Sequence, residues 1–103
     1  MGCKIVFTRP AVSDLGALVG FIARNDPTAA EQFGFAIIAK TQTLKEFPRL
    51  GRVVPEFKIE TIREMIHRPY RIVYRVDDFQ KVVEVLRVWH AARATPIIPK
   101  SFF

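Results

Sequence analysis

Arginine recurs through the second half of this 103-residue chain: Arg49 and Arg52 around Gly51, then Arg63, Arg68, Arg71 and Arg75, then Arg87 and Arg93, with His90 between the last two. A guanidinium is planar and can fork onto a phosphate or a carboxylate through two parallel hydrogen bonds, so a row of them suits a surface that grips a polyanion or an acidic peptide. If such a surface also did chemistry, His90 would be the natural proton carrier, because an imidazole titrates near about 6.5. Bulk charge points the same way. Sixteen Lys and Arg against ten Asp and Glu leave a net +6, enough to raise the local concentration of nucleic acid or an acidic protein.

Each of these residues also has a purely structural reading. Arg71 and Arg75 on an open strand face can be a solvated surface or protection of a sheet against edge-to-edge aggregation. His90 at the end of a strand can cap it, and Glu56 can be an ordinary loop acid. Trp89 alternates onto the same face as Arg87, Val85 and Val83, which reads as core before it reads as a platform for a nucleic-acid base. Gly51 supplies a turn position able to take positive φ, with Arg52 bracing the sheet. It is not a phosphate loop, since there is one glycine and no Lys-Ser/Thr pair. Phe102 and Phe103 are either an apolar partner contact or a frayed end.

Length and composition bound the rest. A chain this short has room for one domain, taken as residues 1–103, and buries roughly two thirds of the surface of its unfolded form. Half the residues are hydrophobic and a quarter charged, a globular balance. Charge or glycine breaks every apolar run before about 18 residues and the N-terminus lacks signal-peptide order, so a soluble, cytoplasmic protein with no membrane partner is expected. One cysteine, Cys3, and two histidines give neither a disulfide nor metal-ligand spacing, so neither metal nor cofactor is expected.

The elements that must position the arginines follow from periodicity. Lys4 to Thr8 is β-rich and stops before Pro10. Ala11, Leu15, Leu18, Val19 and Ile22 then recur every three or four residues as one buried helical face, with Pro10 near its start and Asp14 placed in the first turn. Asp26 followed by Pro27 is an N-cap and first helical position, opening a second helix through Ala30, Phe33, Ile37, Thr41 and Leu44. After Pro48 the period changes to two. Ile62 to His67 is a weak strand. In Tyr70 to Val76, one face carries Tyr70, Ile72, Tyr74 and Val76, and the other carries Arg71, Val73 and Arg75 toward solvent or ligand. Asp77 to Lys81 is a hairpin connection, and Val82 to Trp89 is a central strand buried on both faces. The fold class is α+β in the order β-α-α-β-β-β: an N-terminal strand, a helical hairpin, and a three-strand antiparallel meander, with the helices on one face of the sheet. Residues 95–103 read as an irregular tail.

The order of elements, with Thr8-x-Pro10-Ala11, Asn25-Asp26-Pro27, Pro48-x-x-Gly51-Arg52, Arg63-Glu64, Tyr70-Arg71-Ile72-Val73-Tyr74-Arg75-Val76 and Val88-Trp89-His90-Ala91-Ala92-Arg93, resembles the RelE/ParE superfamily of toxins from bacterial type II toxin-antitoxin modules. The likeness covers almost the whole chain, and its His-x-x-Arg ending is closer to the ParE-like pattern. The resemblance implies a small basic toxin held inactive in a hetero-oligomer by an acidic, amphipathic antitoxin encoded beside it. That segment would neutralise the arginine face and cover an apolar groove beside the helical hairpin.

The resemblance leaves two targets open. ParE-like members poison DNA gyrase; for that reading Arg52, Glu56, Arg75, Arg87 and Trp89 are the candidate target- or antitoxin-binding residues. RelE-like members cleave mRNA on the ribosome, which needs a base at the 2′-hydroxyl, positive charge on the phosphate and an acid at the leaving oxygen. By resemblance Arg63, Arg71, His90 and Arg93 would carry that work, with Glu56 as a possible base. The chain has no tyrosine near its C-terminus, only Phe102 and Phe103, which exchange no protons. A third option is a harmless basic nucleic-acid-binding module, whose affinity would fall steeply with salt.

Overall fold

The computed structural model describes residues 2–103, and its elements are β1 (Lys4–Phe7), α1 (Arg9–Ala23), α2 (Pro27–Gln42), β2 (Arg52–Val53), β3 (Ile62–His67), β4 (Tyr70–Asp77) and β5 (Val82–His90). The expected α+β order holds, with the two-residue β2 added. The sheet has five strands in the order β1-β5-β4-β3-β2. β1 runs parallel to β5, Lys4 opposite Val82 and Phe7 opposite Val85, while the remaining pairs are antiparallel. None of its helices is long and apolar enough to cross a membrane.

Local chemistry sets the helix ends. Thr8 closes β1 and caps α1, its hydroxyl accepting from the Ala11 amide at 3.3 Å, with Pro10 in the first turn where no intrahelical donor is needed. Asp26 caps α2 in the same way, accepting from the Ala29 amide at 3.0 Å. Asp14 does not serve the α1 N-terminus as expected, because the helix starts at Arg9 and no acid lies in its first turn. It accepts instead from Arg87 and from the Val88 amide.

The helical hairpin covers one face of the sheet. Ala11 and Ile37 are buried against Ile72, Val85 and Val88, with Leu15, Leu18, Phe33 and Met65 around them. Leu44 extends this layer over Tyr74, Val76 and Val83. Expelling water from these side chains is the main stabilising contribution, about 1.5–3 kcal/mol for each large one.

The opposite face is not open, as the alternation in β4 suggested. Val54, Ile62, Val73, Leu86 and Ile98 form a second buried cluster, flanked by Phe57, Ile59 and Phe102. The C-terminal tail supplies part of this cover. It is irregular apart from a 3-10 turn at Lys100–Phe102, yet Ile98 is only 8% exposed and Phe103 packs on Phe57 with ring centres 5.0 Å apart. The tail is therefore docked, and the face left for a ligand shrinks to the strand ends.

A β-bulge corrects the expected alternation of β5. Val73 pairs with Arg87 and Tyr74 with Val85, so Leu86 is the extra residue. Trp89 shares a face with Arg87, but Val85 and Val83 point to the helices. Gly51 also differs from expectation, since no glycine in the described residues has positive φ. What position 51 lacks is space: a Cβ there would collide with the Glu64 carbonyl oxygen and lie 2.8 Å from the Tyr74 hydroxyl.

Candidate functional site

Most of the arginine row is bound internally. Arg71 lies on the non-helical face of β4, where its Nη1 and Nη2 each donate to one Glu56 oxygen at 2.7 Å. Its Nε donates to Glu64 at 2.5 Å. The other Glu64 oxygen accepts from Arg52 Nε at 2.7 Å. Glu64 is 1% exposed and Arg71 7%, while Arg52 and Glu56 reach solvent, so a dry pair sits behind a wetter rim and the two cations match the two anions. The donors of Arg71 hold the Glu56 carboxyl below its ordinary range, and the two acids push the Arg71 guanidinium up. An open cleft of about 420 Å³ lies beside it, lined by Arg52, Pro55, Glu56, Ile66, Arg71 and Ala91.

The neighbouring arginines are similarly occupied. Arg63 donates to the Gly51 and Glu60 carbonyls and to the Glu60 carboxylate, each at 2.9 Å. Arg49 bridges Glu60 and Asp78, and together Arg49 and Arg63 hold the Glu60 carboxyl at about 2. Arg75 reaches Glu84 at 2.6 Å. Arg87 grips Asp14 through two bonds of 2.8 Å and also donates to the Ile97 carbonyl, tying α1, β5 and the tail together.

Of the basic candidate residues, Arg93 and His90 alone have no carboxylate partner among the described residues. Arg93 lies 3.6 Å above the Trp89 ring, with Arg87 at 4.7 Å, and the indole N–H donates to the Ala94 carbonyl at 2.8 Å. Trp89 is thus a buried hub at 2% exposure, which leaves no face for a nucleic-acid base. His90 Nδ1 accepts from the Ala92 amide at 3.0 Å, and its ring meets Tyr70 edge-on in a chain that continues through Phe33 to His67. Burial and the nearby Lys40 charge lower the His67 pKa. His90 and Arg71 therefore sit on opposite faces of the sheet, since neighbouring positions across the ladder pair Tyr70 with His90 and Arg71 with Trp89.

Glu64, Glu60, Asp78 and Asp14 decide what the arginines can do, and one signal for them was available: Glu64 alternates with Ile62 on a strand beside arginine-bearing β4, so it falls on the arginine side of the sheet.

A second feature is apolar. Between α1, α2 and the end of β1 runs a groove of about 400 Å³ lined by Phe7, Val12, Leu15, Gly16, Val19 and Ile38. Val12 is 57% exposed, and a Cβ built on Gly16 would meet nothing within 4 Å, so the groove is open along α1. It is the apolar groove expected beside the helical hairpin.

Comparison with known proteins gives the family. The family model described as the ParE toxin of type II toxin-antitoxin system, parDE, matches residues 5–95. Toxin RelE2 of Caulobacter vibrioides is 33% identical over 91 residues, spanning 87% of this chain and 97% of the relative. The structure of a chromosomal ParDE system from P. aeruginosa superposes with a TM-score of 0.70 at 22% identity, over 85% of this chain and 95% of that one. The isolated E. coli RelE toxin gives 0.63 at 24% identity, over 89% and 87%, and the RelBE2 toxin-antitoxin complex of Mycobacterium tuberculosis gives 0.57 at 27%, over 87% and 99%. With a family match running from the first strand to the start of the tail, this chain belongs to the ParE toxin family of type II toxin-antitoxin systems.

Proposed function

We propose that this toxin acts by binding DNA gyrase and performs no RNA chemistry, and that a cognate antitoxin silences it by laying an amphipathic segment into the α1–α2 groove. The observation that carries the first half is the pairing of Arg63 and Arg71. Both are charged groups that a phosphodiester transition state would need, and both already face carboxylates: Glu60 for Arg63, Glu56 and Glu64 for Arg71. A phosphate approaching Arg71 would have to displace the Glu56 anion that already occupies its Nη1 and Nη2 donors. The His90 ring lies on the other face of the sheet, so proton transfer and phosphate binding would not converge on one site.

The antitoxin half rests on the shape of the groove. Its lining is almost wholly apolar, the surface into which a partner helix inserts anchors at three- and four-residue spacing. A toxin-antitoxin complex is among the solved structures with this fold. The net charge of +6 favours an acidic partner.

Induction in growing cells, with and without the neighbouring gene, tests the proposal. Trapped gyrase–DNA cleavage complexes with intact transcripts are expected, and the neighbour should relieve the arrest. Transcripts cut within codons, together with loss of that cutting in His90→Ala or Arg71→Ala, would replace gyrase by ribosome-dependent mRNA cleavage.

A further inference from the structure

Phe79 sits at the tip of the β4–β5 hairpin with 95% of its surface exposed. Turns favour Gly, Asn, Asp and Pro, and a phenyl ring in water forgoes its burial, so this residue opposes both local turn chemistry and packing. Residues that break two rules at once without a local gain mark functional positions. The turn around it is held rigidly. Asp77 Oδ1 accepts from the Gln80 amide at 3.0 Å, and both Asp78 oxygens take Arg49 donors at 2.9 and 2.7 Å. Lys81 completes the turn at φ 57°.

The surrounding charge differs from that of the arginine row. Lys4, Lys45 and Lys81 are exposed and make no ion pair among the described residues. Backbone bonds bring them to this corner, with the Lys4 amide donating to the Lys81 carbonyl and the Cys3 amide to the Lys45 carbonyl. The corner is separate from the apolar groove, because Phe7 pairs with Val85 and the tip begins beyond Val82, at least about 10 Å farther along the strand.

We propose that Phe79 is the anchor by which this toxin grips its protein target, inserting into an apolar pocket whose acidic rim faces Lys81 and Lys4. A preorganised aromatic loses little freedom on binding, which is what makes such a residue dominate an interface. Arg49 already engages both Asp78 oxygens, so the unpaired cations at the corner are the lysines, and a ring projecting among them fits a protein pocket that is apolar within and acidic at its rim. The inference rests on the reading that the chain is a toxin with a protein target.

The test compares growth arrest on induction of the full chain with that of Phe79→Ala, Phe79→Trp and Lys81→Glu. Phe79→Ala should melt at the wild-type temperature and need about tenfold more expressed protein for the same arrest, Phe79→Trp should retain activity, and Lys81→Glu should fall between. If wild type arrests growth and Phe79→Ala does so equally at matched levels, the anchor is refuted while the toxin reading stands. If wild type leaves growth untouched, the toxin reading fails and takes the anchor with it. Should Phe79→Ala instead weaken binding of the purified chain to a single-stranded oligonucleotide probe, the corner is a base-stacking platform and the protein pocket is wrong.

Discussion

Arg71 presents its Nη1 and Nη2 edge to the two oxygens of Glu56, each at 2.7 Å, in the geometry it would use for a phosphate. Its own chain thus fills the recognition edge of this arginine. Behind it, Glu64 is buried and holds Arg71 and Arg52 together.

Glu64→Gln therefore removes the buried acid that Arg71 and Arg52 share, leaving Arg71 only Glu56. Breaking a buried pair in this way costs about 3 kcal/mol, and the urea midpoint should fall accordingly with an unchanged slope. An unaltered midpoint would mean that Arg71 and Arg52 find water as readily as they find Glu64.

Gly51→Ala tests close packing at the start of β2. The added methyl would meet the Glu64 carbonyl and the Tyr74 hydroxyl, for a loss of about 1–3 kcal/mol. Tyr74→Phe removes only the hydroxyl that accepts from the Gly51 amide at 3.0 Å and should cost about 1 kcal/mol. Equal effects from the two would contradict a steric role for the missing Cβ.

Acid should weaken the fold through Glu60. Its carboxyl lies at about 2 in the folded chain against an ordinary 4.5, held down by Arg49 and then Arg63. A depressed folded pKa means that the added stability is complete above about 4.5 and is lost as pH falls toward about 2. Melting temperature should drop through that window, less at high salt because the pair is exposed. Arg49→Gln should flatten the drop; an equally steep acid limb in that variant would assign the effect to other carboxylates.

Gly16→Leu separates the groove from stability. Nothing lies within 4 Å of a Cβ added there, and leaving glycine in a helix interior gains about 1 kcal/mol. The variant should melt no lower than wild type yet resist neutralisation by the antitoxin. A variant neutralised as readily as wild type would place the antitoxin elsewhere.

How far the sequence could be read depended on range. The helical hairpin was legible because its signals are local: the caps at Asp26 and Pro27 and the three- and four-residue spacing from Ala11 to Leu44. The alternation of β4 was legible for the same reason. The bulge at Leu86 was not, because a single extra residue in a strand made mostly of Val and Leu leaves the composition unchanged. Nor was the burial of Val73, which depends on Ile98 returning from the tail across many residues. The arginines were visible and their partners were not. Asp14 lies 73 positions from Arg87, so no spacing rule could connect them, and an acid that neutralises an arginine looks in sequence like any solvated charge.

The claim with the widest consequences is that a toxin whose Arg63 and Arg71 are already paired attacks gyrase and leaves RNA whole. Adding the purified full-length chain to gyrase, ATP and relaxed plasmid reads this directly. Supercoiling should stop and protein-linked cleaved DNA should accumulate, an effect that prior addition of the antitoxin abolishes. Supercoiling at full rate under saturating toxin, with codon-phased cutting of mRNA in a translating extract, would contradict it.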